Sequence, residues 1–248
     1  MSKIEIYRQK LKQLKDWKPF LLSESGLPGP RGNIELAQAV ADEGSETLFE
    51  HFLTFSAVKA PVNSPQEFLA FCGTLGQGKL LAEGKRAVLP RLRLLAGDPR
   101  WRTREAVAMA LQRYGDVDMD GLLGVAEQWS KGSRWEQRAA IAALCEPKLL
   151  KKEKHAARVL DILDRITASL EQAKDSGGEG FKVLRQALGY CWSVAVAALP
   201  EKGKGLMERW FTNKDSNVKW VMKENLKKHR LTRMDREWVE RWIREIDG

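Results

Sequence analysis

Apolar residues recur along this chain at helical steps. Ile4, Tyr7, Leu11, Leu14, Trp17 and Leu21 follow mostly three- and four-residue intervals, which predicts a helix over 3–22. The run SESGLPGPRGN (23–33) ends it with a long ordered turn, built from two prolines and three glycines. Asn33 or a neighbour caps a helix over 33–44, and another follows over 46–56. Ser64-Pro65 ahead of Glu67 is a helix start, with a hydroxyl cap, a proline at the first helical position and an acid in the first turn. The four glycines of GTLGQGKLLAEG (73–84) predict a tight turn between helices. Leu80 after Lys79 breaks the order that a phosphate-cradling GxxxxGK[ST] loop requires.

From residue 85 the helices come in pairs. RAVLPRLRLLAG precedes DPRWRTREAVAMALQRYG, where Asp98 is the expected cap and Pro99 lies in the first turn. DMDGLLGVAEQWSKG and SRWEQRAAIAALCEP repeat the arrangement. A long amphipathic helix is expected over 153–174, a loop over 175–180 and a strongly apolar, central helix over 181–200. GKGLMERWFTNK, DSNVKWVMKENLKKHR and DREWVERWIREI complete the series. No segment alternates as a strand would, so the expected class is all α. One helix pair cannot bury its own apolar face, whereas stacked pairs bury a continuous one. The pattern therefore predicts an α-solenoid as a single domain over 1–248, with capping helices in 1–60 and a repeat body in 61–248.

Charge gives that body a character. The chain carries 42 basic against 33 acidic residues, a formal charge of +9. Residues 1–60 hold eight of each, so the whole excess lies beyond them. A basic chain with nine tryptophans points to polyanionic partners. The three cysteines, Cys72, Cys145 and Cys191, have no metal-ligand spacing; Cys72 and Cys191 read as inert buried thiols, and Cys145 stands at a helix end. His51, His155 and His229 are scattered, so no metal or cofactor is implied. The charged start and the lack of an 18-residue apolar run predict a cytoplasmic protein with no membrane partner.

Two phrases, RWRTREAVAMAL (100–111) and RWEQRAAIAAL (134–144), nearly repeat each other. In the first, Asp98 precedes Arg104, Val107, Ala108, Ala110 and Leu111; in the second, Ser133 precedes Arg138, Ile141, Ala142 and Leu144. This grammar resembles HEAT repeats, fairly over 88–146 and loosely elsewhere. The resemblance implies that Arg104 and Arg138 tie adjacent repeats and that Trp101 and Trp135 are packing residues. Each arginine lies one turn after its tryptophan, near enough to stack on it. A narrower likeness covers 181–200. Phe181 and Leu184-Arg185-Gln186-Ala187-Leu188-Gly189-Tyr190 resemble a helix of the HEAT-like alkylpurine DNA glycosylases. The DNA-facing tryptophan of that family falls on Tyr190 and its arginine on Ser193. Its catalytic aspartate has no counterpart in order, since Glu127 and Glu136 stand near Trp129 and Trp135.

The strongest basic segment is SNVKWVMKENLKKHRL (216–231). On a continuous helix Lys219, Lys223, Lys227 and Arg230 form one ridge, with Lys228 beside it. Lys148, Lys151, Lys152, Lys154 and Arg158 form a second cluster. Arg185 and Tyr190 join the candidate nucleic-acid contacts, as do Arg100, Arg102 and Arg134, which lie outside the repeat grammar and are expected to face a ligand. The expected function is a non-catalytic scaffold for nucleic acid, double-stranded DNA first. A glycosylase-like enzyme and a protein-binding scaffold are the alternatives.

Overall fold

The structure is a computed structural model and describes residues 1–171, 173 and 175–247. The described residues form helices and contain no strand. They pack as two compact units, Met1–Val117 and Asp118–Gly248. The first holds α1 (Lys3–Gln13), α2 (Lys18–Ser23), α3 (Ile34–Glu43), α4 (Glu46–Leu53), α5 (Pro65–Ala82), α6 (Leu89–Leu95) and α7 (Trp101–Val117). The second holds α8 (Met119–Trp129), α9 (Arg134–Leu144), α10 (Glu153–Glu171), α11 (Glu179–Ala198), α12 (Pro200–Phe211), α13 (Ser216–Leu226), α14 (His229–Met234) and α15 (Arg236–Asp247). The expected end of the 153–174 helix falls on Gln172 and Lys174, outside the described residues. Residue 60 lies within the first unit, where Ala60 is fully buried.

Three expectations meet a different local outcome. The helix expected over 3–22 is two helices. Pro19 lacks an N–H and its ring would strike the carbonyl of Lys15 in a continuous helix. The chain therefore opens at Leu14, and Asp16 Oδ1 accepts the Lys18 N–H at 3.0 Å ahead of α2. Asp98 stands three residues ahead of α7 and holds the residue just before the helix. Its Oδ1 accepts the Arg100 N–H at 2.8 Å, so Pro99 stands before the helix and Trp101 begins it. The third difference is the largest. The glycine-rich stretch 73–84 is no turn; α5 runs through it to Ala82, capped at Ser64 as expected.

Those glycines are contact points. A Cβ at Gly76 would lie 2.3 Å from the Phe49 ring, and one at Gly73 would lie 2.9 Å from the Phe49 carbonyl oxygen. One at Gly78 would lie 2.5 Å from the Cα of Ala110. Bare backbone on α5 thus lets α4 and α7 approach closely, and α2, α3 and α6 also pack on it. Gly78→Ala gains helix propensity of about 1 kcal/mol. It also drives a methyl into the α7 backbone, an overpacking that costs about 1–3 kcal/mol or more. The expected result is a net loss of about 1–2 kcal/mol, read as a lower Tm by calorimetry. An unchanged or higher Tm would mean that α7 can recede freely.

In the second unit α11 takes the central place expected of 181–200, packed by α9, α10, α12, α13 and α14. Trp192 is its deepest large side chain, and its Nε1 donates to Thr167 Oγ1 at 3.0 Å. Gly203 lets α12 press on the Val196 backbone, where a Cβ would lie 2.7 Å from Cα. Phe211 stacks against Trp238 and Trp242, whose indole N–H groups both donate to Glu208 Oε1.

Candidate nucleic-acid interface

The basic segment 216–231 is not one ridge, because its helix breaks. Leu226 and Leu231 are both buried. On an uninterrupted helix they would point about 140° apart, and only one could enter the core. The chain ends α13 at Leu226, turns through Lys227 and the extended Lys228 (φ −81°, ψ 118°), and restarts as α14 at His229. Lys219 and Lys223 stay half-buried on α13, separated in the backbone from Lys227, Lys228 and Arg230. The break exposes Lys227 and His229 at a joint.

That joint borders a groove of about 690 Å³. Tyr190, Val194, Ala197 and Ala198 lie along one face of α11 and, with Pro147 and Leu150, give it an apolar side. Lys227, Lys228, His229, Arg230 and Arg233 give it a basic side. The described lining residues include no carboxylate. Tyr190 is 40% exposed, and the Arg230 guanidinium carbon lies 4.9 Å from its ring centroid. Lys227 pairs with Glu224, whereas no carboxylate among the described residues pairs with Lys228, Arg230 or Arg233.

A buried amide fixes the joint against α11. Asn225, with no exposed surface, accepts the Ser193 N–H at 2.8 Å on Oδ1. Its Nδ2 donates to Leu188 O at 2.8 Å and to Val221 O at 2.7 Å. These bonds bracket Tyr190 in the α11 backbone. Behind it, the Cys191 thiol donates to Ile141 O at 3.5 Å, the carbonyl that also accepts the Cys145 N–H at 2.9 Å. Burial holds the Cys145 thiol well above its usual range, Cys191 adds to that, and Arg230 opposes it. Burial also raises the Cys72 thiol well above its usual range. Buried thiols of this kind are poor nucleophiles.

The other candidates do not join the groove. Arg185 stacks on Trp220, with 4.1 Å from its guanidinium carbon to the ring centroid, and its Nε is buried without a hydrogen bond. Trp220 in turn covers Gly189, where a Cβ would lie 3.1 Å from the indole. Arg134 is a clamp rather than a ligand contact: it reaches Asp175 at 3.1 Å, Ser169 Oγ at 3.0 Å and Gln137 Oε1 at 3.2 Å. That pairing holds the Asp175 carboxyl below its usual range. In the second basic cluster, Lys154 pairs with Asp120 and Arg158 with Glu127.

The expected exposure of Arg100 and Arg102 is overturned, for they are 3% and 5% exposed. Arg100 donates to both Asp98 oxygens and, through Nη1, to Phe55 O at 2.8 Å and Ala60 O at 3.3 Å. Arg102 Nη1 donates to Glu67 Oε2 at 3.0 Å, and its Nη2 to Gly29 O at 2.6 Å and Asn63 Oδ1 at 3.3 Å. The guanidinium donors that charge alone assigns to a ligand point to loop carbonyls, two carboxylates and an amide oxygen. Trp101, expected inside, is 44% exposed, and the Arg102 guanidinium stacks on its ring at 4.4 Å. Arg104 Nη1 donates to Asp98 O and Pro99 O, at the start of its own helix. Trp135 is half-buried and lies over Gly180, and Arg138 is half-buried on α9.

The structure therefore gathers Tyr190, Lys227, Lys228 and Arg230 from the expected set. His229, Arg233 and the apolar side were missed. Arg233 follows Arg230 by one turn and was legible; the apolar side was not, because Val194, Ala197 and Ala198 read as core. Ser193, at the position of the family arginine, is fully buried. No helix among the described residues is long and apolar enough to cross a membrane. In comparisons with known proteins, no family model, no curated protein and no solved structure matches this chain.

Proposed function

We propose that this protein is a non-catalytic scaffold of HEAT-like helix pairs, a solenoid, that binds nucleic acid in the groove beside Tyr190. One observation carries the reading: five basic side chains border a single groove whose described lining holds no carboxylate. Lys228, Arg230 and Arg233, which pair with no carboxylate among the described residues, are cations of the kind that neutralise phosphates and release counterions. The exposed tyrosine beside them adds an aromatic surface. The likeness of 181–200 to the alkylpurine glycosylase helix supports the same face, since the DNA-facing position falls on Tyr190.

The test is salt-dependent binding of DNA. Each phosphate contact contributes a slope of about −0.9 in log K against log salt on a duplex, and about −0.7 on a single strand. Lys228→Glu combined with Arg233→Glu is expected to weaken binding at low salt at least tenfold and to flatten the slope by about 1.5–2. Unchanged affinity would move the interface elsewhere. Release of methylated purines from alkylated duplex, assayed in the same samples, would replace the scaffold by an enzyme. No DNA binding at low salt would leave a protein partner.

A further inference from the structure

The groove has two natures, and a plain duplex uses only one of them. A duplex offers phosphates on its outside and keeps its bases stacked within, so it would engage the basic side and leave the apolar side in water. An unpaired nucleotide offers both surfaces, a flat base and a phosphate on either side of it. Resting on the nucleic-acid reading above, we infer that the groove takes an unpaired nucleotide, in a single strand or a bulge. Its base lies against Tyr190 and the α11 surface of Ala197 and Ala198, and its phosphates lie among Lys228, Arg230 and Arg233.

Four features carry this. The volume of about 690 Å³ falls in the range of about 300–1,000 Å³ usual for sites that enclose a small molecule. Alanine at 197 and 198 keeps the apolar side low, where larger residues would fill the groove. Arg230 already stacks on Tyr190, and aromatic rings and guanidinium planes are the surfaces on which unpaired bases stack. Finally, the Asn225 bonds hold the backbone on both sides of Tyr190, so the platform is set before any ligand arrives.

The experiment uses the full chain and three DNA probes of one sequence. They are a single strand with a central 2-aminopurine, its blunt duplex, and a duplex in which that base is bulged. The single strand and the bulge are expected to bind at least tenfold more tightly than the blunt duplex, with quenching of the 2-aminopurine on binding. Tyr190→Ala and Ala198→Trp should each shrink that ratio to about threefold or less, and Tyr190→Phe should keep it. Ala197→Trp serves as the second filling variant if Ala198→Trp lowers the Tm. Equal affinity for all three probes, or a ratio that survives both Tyr190→Ala and a folded filling variant, overturns this inference while the nucleic-acid reading stands. Failure of every probe to bind at low salt overturns both.

Discussion

Arg102→Ala is expected to destabilise the first unit by about 3–5 kcal/mol, the usual result of removing one partner from a buried ion pair. Glu67 has no exposed surface, and its Oε2 accepts from Arg102 at 3.0 Å and from the Asn63 N–H at 2.7 Å. Without the guanidinium, a carboxylate remains in the core with one hydrogen bond. The Gly29 carbonyl loses its Arg102 donor as well, while Asn63 Oδ1 keeps the Gly29 N–H. Yet the pair is itself imperfect, since Glu67 Oε1 and Arg102 Nε are buried without partners. Replacing both ends by apolar residues, Arg102→Met with Glu67→Met, should therefore recover most of the loss. Urea unfolding of the two single variants and the double variant measures the cycle. A loss under 1 kcal/mol for Arg102→Ala would mean that water reaches Glu67 readily.

Asn225→Leu is the second large effect, about 3 kcal/mol. Leucine fills a similar volume, so the change removes polarity more than packing. Three hydrogen bonds disappear, each worth about 1 kcal/mol net, and any backbone group left without a partner adds a desolvation cost. Because those bonds hold α13 against the turn of α11 that carries Tyr190, nucleic-acid affinity should fall with stability. Thermal unfolding and binding measured on one preparation test the link. Full affinity in a folded but less stable variant would show that Tyr190 is placed by other contacts.

How much of this was legible follows from where each signal resides. Helices were legible because apolar spacing is local, and Ser64, Asn33 and Ser133 each cap a helix through their side chains. The burial of 181–200 was legible because Trp192 and its neighbours have nowhere else to go. The arginines were not. Charge predicts a wet surface, but Arg100 and Arg102 are buried and donate to distant carbonyls and to the carboxylates of Asp98 and Glu67. Of the candidate site, the segment Lys227–Arg230 was found from its charge, and Tyr190 from the likeness of 181–200 to the glycosylase helix. Their meeting in one groove depends on a helix break that only the burial of Leu231 makes necessary.

The glycines of α5 reach beyond close packing. Each glycine inside a helix weakens it by about 0.5–1 kcal/mol relative to alanine. Gly73, Gly76 and Gly78 together take about 2 kcal/mol from a helix whose stability on its own would be marginal. The element at the centre of the first unit is thus a poor template. It gains its shape as α4 and α7 close on it, so order there arises collectively, and the middle of the first unit is among the last parts able to stand without the rest of that unit.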